Sequence, residues 1–144
     1  MPPSRSRPAD PPTPACPPDA ALPPTEARPS RPTARFRLRV TVGDAIAIGP
    51  GKIALLEAIA ATGSLTEAAR HLGMSYRRAW LLLDQINRSL KLPAVDSAKG
   101  GAHGGGSVLT AVGEEVVTLY RGIEATAEAA CADALKRLLA LVAR

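Results

Sequence analysis

Two helix starts follow one another at eleven-residue spacing, at Ser64 and Ser75, with a glycine between them. No other stretch of this chain restricts its fold so much. Ser64-Leu65-Thr66-Glu67 has the form of a capping box, in which the serine hydroxyl accepts a helix amide and Glu67 reaches back to the Ser64 N–H. The short helix it opens carries Ala68, Ala69 and Leu72 and stops at Gly73. Ser75 caps again, and the next helix runs from Tyr76 to about Leu90, with Ala79, Leu83, Ile86 and Leu90 on its inner face. The alanines let two helices cross closely, the glycine supplies the turn, and the second helix begins polar and basic. That is the sequence form of a helix-turn-helix.

The flanks complete a compact order. Phe36, Leu38, Val40 and Val42 alternate with Arg35, Arg37, Arg39 and Thr41, the period of a half-buried strand. Gly43-Asp44 is a tight turn and Ala45 to Ile48 a return strand, giving a hairpin with one arginine-lined face. Those arginines suit phosphate or, equally, a solvated sheet face. Gly49-Pro50-Gly51-Lys52 is no phosphate loop, because that motif needs GxxxxGK followed by Ser or Thr, and Ile53 follows here. Pro50 instead fits a helix start, with Ile53, Leu56, Ile59 and Ala60 as its stripe and Gly63 as its end. After the second motif helix, Pro93-Ala94-Val95 is extended, a glycine cluster follows from Gly100 to Gly106, and Val108-Leu109 returns. Thr110 caps a last helix expected to run almost to Arg144. The fold class expected is mainly α with small β: a winged helix-turn-helix with an N-terminal hairpin, a wing hairpin and a long C-terminal helix.

Charge and cysteine usage narrow the partner. The net charge is +5, and residues 35–107 alone carry ten Lys/Arg against five Asp/Glu. A basic central block suits nucleic acid. Residues 1–34 hold twelve of the fourteen prolines. Such a composition cannot bury enough apolar surface to order itself, so this segment is expected to be disordered, with residues 35–112 as the DNA-binding domain and 113–144 as a dimerisation helix. Cys16 and Cys131 form neither a disulfide framework nor a metal knuckle, and His71 and His103 have no cysteine pair beside them. No run of about 18 apolar residues exists to span a bilayer, so a cytoplasmic protein is expected. No carboxylate pair, Cys-His couple or Ser-His-Asp set stands out, and neither an enzyme nor a cofactor is expected.

The candidate DNA contacts follow from the motif. Tyr76, Arg77 and Arg78 fall on the first exposed turn of the second helix, where side chains reach base edges in a major groove; arginine suits guanine, and tyrosine a phosphate or a thymine methyl. Ser64, Thr66 and Ser75 stand at helix starts near the backbone, and Lys99 and His103 at the glycine-rich wing tip. Trp80 suits packing, at least in part, better than stacking near DNA. On the last helix Tyr120, Ile123, Ala127, Ala130, Ala134 and Leu141 form a heptad-like seam of small residues with Val116, broken by Arg137, suited to pairing with a second copy.

Gly63-Ser64-Leu65-Thr66-Glu67-Ala68-Ala69, Gly73-Met74-Ser75-Tyr76-Arg77-Arg78-Ala79-Trp80, the two wing glycine clusters and Leu109-Thr110 together resemble the N-terminal domain of ModE-type molybdate-responsive regulators, itself related to the LysR-type helix-turn-helix. The resemblance covers Arg35 to about Ile123. It implies a winged helix, control of molybdenum-related genes, and a homodimer on a palindromic double-stranded DNA operator. ModE regulators sense molybdate through a strand-rich C-terminal domain, and nothing in these 144 residues resembles it; direct molybdate binding is not expected. The alternative is a protein-interaction subunit that dimerises with a full-length regulator and modulates it.

Overall fold

The structure, a computed structural model, describes residues 31–97 and 106–143. Expectations for residues 1–30 and for Lys99 and His103 lie outside the described residues. In chain order the elements are β1 (Val40–Val42), β2 (Ala45–Ile48), α1 (Pro50–Thr62), α2 (Leu65–His71), α3 (Tyr76–Ser89), β3 (Val95–Ser97), β4 (Ser107–Leu109), α4 (Ala111–Ala130) and α5 (Ala132–Ala140). The strands form two separate antiparallel hairpins, β1 with β2 and β3 with β4. This is a mainly α winged helix-turn-helix.

The core lies around α1. Ile53, Leu55, Leu56 and Ile59 are at most 1% exposed, and residues of α2, α3, β3 and α4 close over them. A helix apolar on most of its circumference must be enclosed by its neighbours, and α1 is. Of the expected stripe only Ala60 is exposed; the buried face of α1 takes in Leu55 and Ala58 instead. Lys52 is buried too: its ammonium donates to the carbonyls of Ile46 and Ala47, tying the first hairpin to α1, and burial pushes its pKa below the ordinary lysine value.

That hairpin is shorter than the alternation from Phe36 suggested. β1 begins only at Val40, which pairs with Ile48, and Pro50 already starts α1. Residues 35–39 therefore have no strand to pair with. Leu38 still packs on the core, and its carbonyl accepts the Tyr120 hydroxyl at 2.9 Å. Tyr120, expected on the dimer seam, is only 3% exposed. It belongs to the domain's own core. Burial raises its pKa, with the nearby Glu124 charge adding to the effect.

The long last helix is interrupted. At Cys131 (φ −100°, ψ 6°) α4 ends and α5 begins, so Ala134 and Leu141 do not continue the line of Ile123, Ala127 and Ala130 on one straight helix. Arg121 ties α4 to α1 through a bidentate pair with Glu57, both bonds 2.7 Å, and also binds Glu124. The guanidinium holds the Glu57 carboxyl below its ordinary range. Among the described residues no helix is long and apolar enough to cross a membrane.

Candidate nucleic-acid interface

The recognition unit is held by local bonds. The Ser64 hydroxyl accepts from the Glu67 amide at 3.3 Å, but the reciprocal half of the capping box is absent. Glu67 pairs instead with Arg70, one turn on, and the Ser64 N–H donates to the Thr62 hydroxyl at 3.4 Å. α2 ends in a Schellman turn: Met74 N–H to Ala69 carbonyl at 3.0 Å and Gly73 N–H to Arg70 carbonyl at 3.1 Å. Gly73 has φ +66°, a conformation that favours glycine. Ser75 then caps α3 by accepting from the Arg78 amide at 3.2 Å. Ala68, Ala69 and Ala79 are each at most 2% exposed where α2 and α3 cross. The angle between the helices is thereby fixed.

α3 buries Ala79, Leu83 and Ile86 and turns the rest outward. Arg77, Leu81 and Arg88 lie opposite that stripe, and Leu81 is 45% exposed. Tyr76 and Trp80 are exposed on one flank, at 55% and 49%; Trp80, expected to pack at least in part, buries half its surface and presents the other half to solvent. Arg78 stands on the other flank. The Ser64 and Ser75 hydroxyls are engaged as caps, and each retains its own O–H for donation. Thr66 is exposed beside Ser64 on the first turn of α2. The structure thus gathers Tyr76, Arg77 and Arg78 on one exposed helix start, with Ser64 and Thr66 at the start of its neighbour.

The wing is anchored at both ends. The Asn87 side-chain oxygen accepts from the amides of Ala94 (2.9 Å) and Val95 (3.3 Å), while its amide nitrogen donates to the Val95 carbonyl at 3.4 Å. At the returning strand the Ser107 N–H donates to the Gly63 carbonyl at 2.9 Å. The wing is therefore fixed to α3 and to the corner between α1 and α2. Thr110 completes the frame: its hydroxyl caps α4 at the Gly113 amide and donates to the Pro93 carbonyl. Asn87 and Leu81 escaped the sequence reading. An asparagine inside a helix gives no signal unless its extended neighbours are known, and Leu81 reads as core material until the helix phase is fixed by Ala79, Leu83 and Ile86. No group of three or more metal-ligating side chains occurs among the described residues.

Residues 51–114 match the model of the bacterial regulatory helix-turn-helix proteins of the lysR family. The chain is 46% identical over 78 residues to the molybdenum-pterin-binding protein MopB of Rhodobacter capsulatus, covering 54% of this chain and 29% of that protein. It is 40% identical over 91 residues to the molybdenum transport protein ModE of Azotobacter vinelandii, covering 63% and 33%. Over 71 residues it is 39% identical to the DNA-binding transcriptional dual regulator ModE of Escherichia coli K12, covering 49% and 27%. The chain thus spans about a third or less of the length of these relatives. The matched region takes in all of α1 but Pro50, together with α2, α3 and the strands of the wing, so the capped and glycine-turned part of the fold is where this chain is similar to the lysR-family helix-turn-helix and to the ModE regulators.

Proposed function

We propose that this protein is a sequence-specific transcriptional regulator that acts in the cytoplasm on molybdenum-related genes and binds a palindromic operator as a homodimer. The outward face of α3 carries the reading. It combines cations, aromatic rings and an apolar side chain on a capped, well-packed helix, the combination that base edges and phosphates require. Arg77 donates bidentately to guanine, Leu81 meets a thymine methyl, and Tyr76 and Arg78 hold the flanking backbone. Ser64, Thr66 and Ser75 contact phosphates at the helix starts, and Lys99 and His103 do so from the wing. The molybdenum connection rests on the names of the relatives.

For the dimer, the supporting feature is a shallow apolar groove of about 480 Å3 along α4, lined by Leu119, Ile123, Ala127 and Ala130 among others. Leu119 and Ile123 are more than half exposed there. A two-fold pair through this groove would present two α3 helices to successive major-groove faces, about 34 Å apart.

The test is an operator selected from random DNA, followed by binding isotherms over a salt series. Arg77→Ala should lose about 1–3 kcal/mol on the selected site and little on unrelated DNA. A wild-type protein that selects no sequence on its own would sink the proposal and favour a subunit that acts by joining another regulator.

A further inference from the structure

On the flank of α3 away from the wing, an open trough of about 830 Å3 separates the helix from the first hairpin. Arg78 and Asn87 are nine residues apart on α3, about two and a half helical turns, so they point to opposite sides. Asn87 holds the wing and Arg78 lines the trough. The trough carries three exposed guanidiniums, Arg39, Arg78 and Arg88, against one lining anion, Asp44, a net of +2, while Lys52 at its floor is buried on the carbonyls of Ile46 and Ala47. Arg88 is partly offset by Asp84 at 3.0 Å, whereas Arg39 and Arg78 form no ion pair among the described residues. Gln85, on the same wall, adds a neutral donor.

We propose that this trough is a second DNA-backbone site, taking the phosphodiester strand that borders the major groove on the side opposite the wing. The inference rests on the DNA-binding reading and adds the first hairpin to the interface. The dimensions support a strand. A major groove is about 12 Å wide and a helix with its side chains about 10–12 Å across, so a helix lying in the groove has one backbone against each flank. The wing serves one flank and the basic trough the other. A lone tetrahedral oxyanion would fill only a small part of the cavity's volume, which leaves room for a run of sugar-phosphate chain. Arg39 becomes a phosphate contact contributed from outside the helix-turn-helix itself.

The experiment compares full-length wild type, Arg39→Gln and Arg39→Lys on the selected operator and on unrelated DNA, from low to high salt. Arg137→Gln, on α5 outside the trough, reports the general effect of losing one charge. Each lost phosphate contact should lower the slope of log K against log salt by about 0.9. Arg39→Gln is expected to lower it by that amount beyond Arg137→Gln, on both DNAs, with the preference between them unchanged and with Arg39→Lys restoring the slope. Gln85→Glu should weaken binding in the same sequence-independent way. Equal slopes for Arg39→Gln and Arg137→Gln would overturn the inference while leaving the function of α3 standing. If those equal slopes came with a saturable response of trough amides to inorganic phosphate, the site would belong to a free oxyanion instead. Absence of DNA binding by the wild type would remove both readings together.

Discussion

Gly113 lies where the first turn of α4 crosses the Ala94 carbonyl, and a Cβ there would overlap that oxygen. In an open helix, alanine in place of glycine gains about 1 kcal/mol. Here the clash must win, because the obstacle is backbone held by Asn87 and Thr110. Gly113→Ala should therefore lower the stability by about 2–3 kcal/mol, measured by urea unfolding, despite the gain in helix propensity. Glu57 gives a prediction of the opposite scale. Its pair with Arg121 is partly exposed, so Glu57→Gln should cost no more than about 1 kcal/mol near pH 7. The folded-state pKa lies below the ordinary value of 4.5, so this contribution is present above that pH and is lost as pH falls through the lower folded value. Wild type and variant should converge in stability as the pH falls below the ordinary carboxylate range. Tyr120 has the reverse sign: its raised pKa means that its stabilising effect is intact below the ordinary value of 10.0 and fades as pH rises beyond it.

Among the elements, the junction between α3 and β3 carries the sharpest expectation. Asn87→Ala leaves the amides of Ala94 and Val95 without their acceptor, and both residues are at most 3% exposed. A buried donor left unpaired costs about 1–3 kcal/mol. Hydrogen exchange at those two amides should accelerate far more than at Ile59, deep in α1; equal protection would show that another group had replaced the asparagine. The elements differed in how far they could be read from sequence. α1, α2 and α3 were legible because proline, serine and glycine mark their ends and each mark acts within four residues. The extent of β1 was not, since Phe36 and Leu38 do alternate but a strand needs a partner, and Pro50 removes it. The break at Cys131 left no trace either, for neither glycine nor proline stands there in an alanine-rich stretch. On the interface, Tyr76, Arg77 and Arg78 follow from counting after a cap. Arg39 and Arg88 line one trough only because β2 packs on α3, a long-range fact that no local spacing encodes.

For the whole molecule, the proposed assembly turns on the α4 groove. Ala130 is exposed at its end, so Ala130→Glu should leave the monomer folded while placing like charges against each other across a two-fold pair. Sedimentation equilibrium should show a monomer for the variant and a dimer for the wild type, with weaker binding to a two-half-site operator. A wild-type monomer would transfer that groove to another partner. The wing anchors have a wider consequence. Because β3 is held by Asn87 and β4 by the Gly63 carbonyl, the chain between Ser97 and Gly106 is bounded by two fixed posts. The two posts stand on different parts of the helical scaffold, one within α3 and one at the corner that ends α1. The wing strands therefore keep their places only while α3 and α1 keep theirs, and a substitution that shifts one helix against the other moves the wing with it. The hairpin is a pointer read from two hinges, and its aim reports the packing of the whole domain.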